Sequence, residues 1–110
     1  SGHTILLDDT AGGEEITISD KTGNNKIILH SPDNSMHIQV QGDLTIEAQG
    51  KITIKGTAGV DMNSNANLNI KGTAGVNMSS DANLTIKNAA AQIALNGPSV
   101  NVNNGALEVT

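Results

Sequence analysis

Five residue types are missing from this 110-residue chain: it contains no Cys, Arg, Phe, Tyr or Trp. Without Cys no disulfide can staple the fold, and the redox compartment stays open. Large rings usually dominate the core of a compact globule, so their absence points to a narrow interior rather than a round one. The longest apolar runs are three residues, as in Ile5-Leu6-Leu7, which excludes a transmembrane helix and a secretory h-region. Basic charge is also scarce: six Lys stand against 11 Asp and Glu, for a net charge of -5. Eight of the acids and only two of the Lys fall in residues 1–50. A nucleic-acid binder needs clustered Lys or Arg, and single-strand binders add stacking aromatics, so that class is set aside.

What is present is a repeat. Apolar–polar–apolar triplets begin at Leu44, Ile52, Val60, Leu68, Val76 and Leu84, always eight residues apart. Their third members are Ile46, Ile54, Met62, Ile70, Met78 and Ile86. A period of sixteen is superimposed, because KITIKGTAGVDMNSNA at 51–66 is followed by NLNIKGTAGVNMSSDA at 67–82. The pattern continues with looser spacing at Ile93 and Leu95, Val100 and Val102, and Leu107 and Val109. Met36-His37-Ile38 extends it one octad backward. Fixed periodicity of this kind is the mark of a repeat architecture.

Each triplet has the period-2 pattern of a strand with one buried face. Asn (14 residues), Gly (12), Ser and Asp crowd the intervening segments, as expected of corners. Gly56, Gly59, Gly72 and Gly75 are placed to supply positive φ or close backbone approach there. No helical periodicity is present; Ala89-Ala90-Ala91 is too short to stand alone as a helix.

An octad with two inward side chains and a turn cannot bury its apolar positions within one ribbon, while ordering its backbone costs about 1–2 kcal/mol per residue. A single chain could coil into a solenoid. Single-chain coils usually need longer periods, whereas three chains wound on a common axis need only one strand and one corner per octad. The expectation is therefore an all-β, intertwined triple-stranded β-helix, or β-prism, formed by a homotrimer. The 18 apolar residues from Leu44 to Val109 named above are expected to form its core. Residues 1–40, with longer and less regular strands at Thr4–Leu7, Glu15–Ser19 and Lys26–Leu29, form a neck. Residues 41–110 form the octad needle. Pro32 and Pro98 fall in turn-like stretches, SPDNS and NGPSV.

The segments SGHTILLDDTAGGEEITISDKTGNNKI and GDLTIEAQGKITIKG, followed by the triplets, resemble the C-terminal spike of VgrG proteins. Those are trimeric tip proteins of type VI secretion systems, similar to the spikes of contractile phage tails. The resemblance covers essentially the whole chain. It implies a mechanical function: a contracting sheath drives the needle through a target envelope, which it contacts only mechanically. It also implies N-terminal hub and OB-like domains in the full protein, so the chain reads as an excised piece. A PAAR-type tip protein would dock at the C-terminal end, on Val100, Val102, Leu107 and Val109, and toxin effectors would ride on the spike. Assembly in the bacterial cytoplasm followed by release on injection completes the implied setting. The His-x-His iron motif of some phage spikes is missing, since the three His stand at 3, 30 and 37.

No catalytic arrangement is found, and no cofactor is expected. His37 alternates outward between Met36 and Ile38. Counting back one octad places Ile28 and His30 inward, where three His could meet as an axial metal site, but Ile27 and Leu29 make an equally good inward pair. Asp8-Asp9 and Glu14-Glu15 match neither an EF-hand nor a calcium-binding nonapeptide and read as a solvated acidic collar. GTAG lacks the Lys-Ser/Thr and helix of a phosphate loop. Lys51, Lys55, Lys71 and Lys87 flank triplets as guards against edge aggregation. Two rival readings share parts of the pattern: a trimeric fibre or adhesin spacer, and an ice-binding solenoid. Ice binding wants a Thr ladder, and Asp61, Asn69, Asn77, Asn101 and Glu108 interrupt the one made by Thr17, Thr45, Thr53 and Thr85.

Overall fold

The computed structural model describes residues 1–95 and 97 and shows an all-β chain. It divides into two units, residues 1–59 and 60–110. In the first, four strands of five residues form an antiparallel meander: β1 (Thr4–Asp8), β2 (Glu15–Ser19), β3 (Lys26–His30) and β4 (Ser35–Gln39). In the second, β5 (Leu84–Lys87) and β6 (Gln92–Leu95) form an antiparallel hairpin.

The meander loops are closed by their own short polar side chains. Between β2 and β3, Asp20 N–H donates to Asn25 O at 3.1 Å and Gly23 N–H donates to Asp20 O at 3.0 Å. Thr22 Oγ1 and Asn25 Nδ2 both donate to the Asp20 carboxylate, at 2.8 Å and 2.9 Å. Gly23, at φ 74°, takes the left-handed position that this tight loop needs. Between β3 and β4, Pro32 sits in a single 3₁₀ turn (Ser31–Asp33), and Asn34 follows it at φ 55°. The stretch SPDNS therefore closes a loop between these two strands, as its composition predicts.

Register decides the two faces of the meander. Ile5, Ile18, Ile27 and Ile38 are directly opposite one another across the four strands. So are Leu7, Ile16, Leu29 and Met36. Residues paired across an antiparallel ladder point to the same side, and residues two apart along a strand share it. One face thus carries two complete apolar rows. The opposite face carries Thr4, Ser19, Lys26 and Gln39; Leu6, Thr17, Ile28 and His37; and Asp8, Glu15, His30 and Ser35. The alternation that left Ile27 and Leu29 level with Ile28 and His30 is resolved by this pairing. Ile27 and Leu29 join the apolar rows, and Ile28 and His30 lie on the other face. His37 also lies on that other face, opposite Ile28.

None of the apolar side chains described is fully buried. A half-apolar sheet normally packs on a second layer, yet Ile5 is 76% exposed and Ile38 53%. Among the described residues, the sheet has a core-ready face and no core.

Candidate functional surface

Residues 40–83 contain no strand, although five complete octad triplets lie there. Among the described residues, the only main-chain hydrogen bond made within this stretch joins Gly59 N–H to Gly56 O, at 3.2 Å. The triplets carry the strand pattern without a ladder inside one chain. Backbone N–H and C=O groups need partners once they are removed from water, and in this stretch nearly all ladder positions are left without one among the described residues.

The period of eight is nonetheless built into the backbone. The chain bends at 41–42, 49–50, 57–58, 65–66, 73–74, 81–82 and 89–90. From the bend at 57–58 to that at 81–82, two kinds of corner alternate. At the glycine corners, Gly59 and Gly75 have φ 148° and 149°, a region that side-chain-bearing residues rarely enter. At Gly72 a Cβ would collide with the carbonyl of Gly75. The polar corners use a side-chain acceptor two residues before the donor. Ala66 N–H donates to Ser64 Oγ, and Ala82 N–H donates to Ser80 Oγ, both at 3.2 Å. Asn88 does the same an octad later, its Oδ1 accepting from Ala90 and Ala91 N–H at 2.8 Å. Sequence reasoning missed Asn88. The signal was there, since 64, 80 and 88 fall on the octad grid and Ser and Asn favour such local turns.

The apolar pairs are presented in step with the bends. The leading members Leu44, Ile52, Val60, Leu68 and Val76 are 49–55% exposed, and their partners Ile46, Ile54, Met62, Ile70 and Met78 are 63–71% exposed. Five repeats with nearly constant exposure form a regular series of uncovered apolar sites. In the hairpin, Leu84 pairs with Leu95 and Ile86 with Ile93. Val100, Val102, Leu107 and Val109, the expected cap-docking residues, lie outside the described residues, as does Pro98.

In the first unit the apolar face runs toward the octads. Val40 and Leu44 line one groove together with Ile18, Ile27 and Ile38. The first octad side chain therefore borders the sheet face directly. Two hydrogen bonds between side chain and main chain hold this exit: Gln41 N–H donates to Asn25 Oδ1 at 2.9 Å, and Gln39 Nε2 donates to Asn24 O at 3.3 Å.

The titratable groups of the meander engage local donors. His30 Nδ1 lies 2.8 Å from Asp33 Oδ1, which also accepts from Ser35 Oγ at 2.7 Å and Ser35 N–H at 3.2 Å. The Ser35 hydroxyl and then His30 hold the Asp33 carboxyl at about 2, below its ordinary 3.8. The hydrogen bond to Asp33 raises His30, with help from the charges of Asp33, Glu15 and Glu14. In the acidic stretch, Asp8 Oδ1 accepts from Thr10 N–H at 2.9 Å and Glu14 Oε1 from Gly12 N–H at 3.1 Å. Glu15 Oε1 accepts from Thr17 Oγ1 at 2.7 Å. Each of these carboxylates is turned to a neighbouring donor, and among the described residues no three His, Asp or Glu side chains converge as metal ligands.

Comparison of the chain with family models, curated proteins and solved structures returned no match.

Proposed function

We propose that this chain is the needle segment of a membrane-puncturing spike in a contractile injection machine, a homotrimer of the VgrG type that acts by stiffness. The observation that carries the reading is the octad stretch. It is strand-patterned, bent every eight residues, without a ladder of its own, and lined with apolar pairs at constant exposure. Three chains intertwined about one axis supply both needs at once: the backbone partners, and the cover for the apolar pairs. A continuous cross-strand ladder around an apolar axis then resists bending and unzipping, which is what a driven point requires. In this reading the spike assembles in the bacterial cytoplasm on hub domains of the same protein. It carries toxin effectors and is capped by a PAAR-type tip protein at the C-terminal triplets. No residue performs chemistry.

The mass of the chain in solution tests the assembly. Light scattering or native mass spectrometry is expected to give three times 11.3 kDa. A monomer of 11.3 kDa overturns the reading and returns the chain to the single-chain solenoids. If the trimer forms, binding of a PAAR-type protein separates the spike from a fibre spacer.

A further inference from the structure

The octads are uniform, and uniformity leaves their alignment between chains undefined. Apolar pairs recur every eight residues from Leu44 to Ile86, and KGTAGV at 55–60 returns unchanged at 71–76. Two such stretches slid past one another by eight or sixteen residues keep most apolar pairs matched. A repetitive ladder of this kind specifies register weakly.

The four-stranded sheet is not repetitive. Its apolar face is a bounded patch with two unlike rows: four Ile from Ile5 to Ile38 in one, and Leu7, Ile16, Leu29 and Met36 in the other. Nothing eight residues further along repeats this patch, so a slipped partner has no second place to seat it. The patch is also continuous with the octads through the groove that Val40 and Leu44 share with Ile18, Ile27 and Ile38.

Area points to the occupant. Four strands about 4.8 Å apart, crossed by two rows about 7 Å apart, give a footprint on the order of 250 Å². A stable interface takes about 800 Å² from each partner. The patch alone is too small to hold an unrelated protein, whereas another copy of this chain covers the patch and the adjoining octads together.

We infer that the apolar face of the four-stranded sheet is the surface on which copies of this chain dock to set the in-register alignment of their octads. The inference rests on the trimer reading above. The octads supply length and adhesion, and the sheet supplies the single reference point from which they are counted.

The chain lacks Cys, so Asn69→Cys in the full chain takes one nitroxide label per copy. Pulsed dipolar spectroscopy of the trimer is expected to read a single narrow distance. With Ile18→Thr and Ile27→Thr added, which keep β-branched residues in the strands, the trimer mass is expected to persist while longer distances appear. Ile28→Thr, on the opposite face, is expected to retain the single distance. An unchanged single distance in the Ile18/Ile27 variant overturns the inference, as does equal broadening in Ile28→Thr. If the double Thr variant is monomeric while its sheet amides remain protected from exchange, docking through this face is upheld. If the sheet itself is lost, Ile18→Val with Ile27→Val replaces it: longer distances uphold the inference, and an unchanged single distance overturns it. A monomer in the labelled but otherwise unmodified chain overturns the spike reading itself. A trimer showing several distances there overturns only the register assignment.

Discussion

Gly59 and Gly75, sixteen residues apart, have φ angles of 148° and 149°. The duplication of KGTAGV in the sequence is matched by a repeat of the φ angle at its second glycine. It holds although the octads between the two glycines form no ladder within the chain. A conformation repeated that closely without supporting strands is dictated locally, by glycines that tolerate what other residues do not.

Gly75→Ala is expected to destabilise the assembled protein by about 1–3 kcal/mol, because Ala at this φ is strained. Gly42→Ala, at a position with open space and no positive φ, is expected to be close to neutral. Thermal unfolding of the two variants beside the parent chain checks the difference. Equal midpoints would show that the glycine corners are not set by φ.

Replacing Ile54 or Ile70 by Asp is expected to prevent trimerisation, since three carboxylates would meet near the axis without compensation. Thr53→Ser and Asn69→Ser, at the middle of their triplets, are expected to leave the mass and stability nearly unchanged. Light scattering reads the first pair and thermal unfolding the second. A soluble trimer from Ile54→Asp would reverse the assignment of inward and outward positions.

Asn88→Ala removes the acceptor shared by the Ala90 and Ala91 N–H groups at the β5–β6 corner. The expected loss is about 1 kcal/mol, the usual net worth of such a bond. Faster hydrogen exchange at these two amides and in β6, with β1–β4 unaffected, is the local signature to look for.

The His30–Asp33 contact makes stability depend on pH at both ends. His30 is raised above its ordinary 6.5, so its contribution is complete below pH 6.5 and fades as pH rises through the folded value. Asp33 is depressed from 3.8 to about 2, so its contribution is complete above pH 3.8 and fades as pH falls toward 2. Between those limits both are in force. An NMR titration of the His30 ring in the parent chain and in Asp33→Asn is expected to show a lower midpoint in the variant. An unchanged midpoint would mean that the 2.8 Å contact does not govern His30 in solution.

The repeat, the all-β character and the strands of residues 1–40 were legible in the residues themselves. Ile16 and Ile18 alternate with polar neighbours, and DKTGNN and SPDNS are turn sequences whose Asp, Asn and Gly close loops by their own side chains. The corners were legible too, down to Gly59 and Gly75, because conformational tolerance belongs to the residue itself. What alternation alone could not decide was the face of β3, where Ile27, Ile28, Leu29 and His30 offer two equivalent phases. Pairing decided it: opposite Ile18 and Ile38 stands Ile27, not Ile28. A strand's own sequence defines its two faces only relative to each other, and neighbouring strands say which of them joins a common surface. The antiparallel closure of β5 on β6 likewise came from tertiary structure, since the octads before them have the same pattern and form no ladder. Local rules of φ, turn chemistry and alternation are written residue by residue. The partner of a strand is set by which apolar surfaces can meet, and many of those described here are left uncovered.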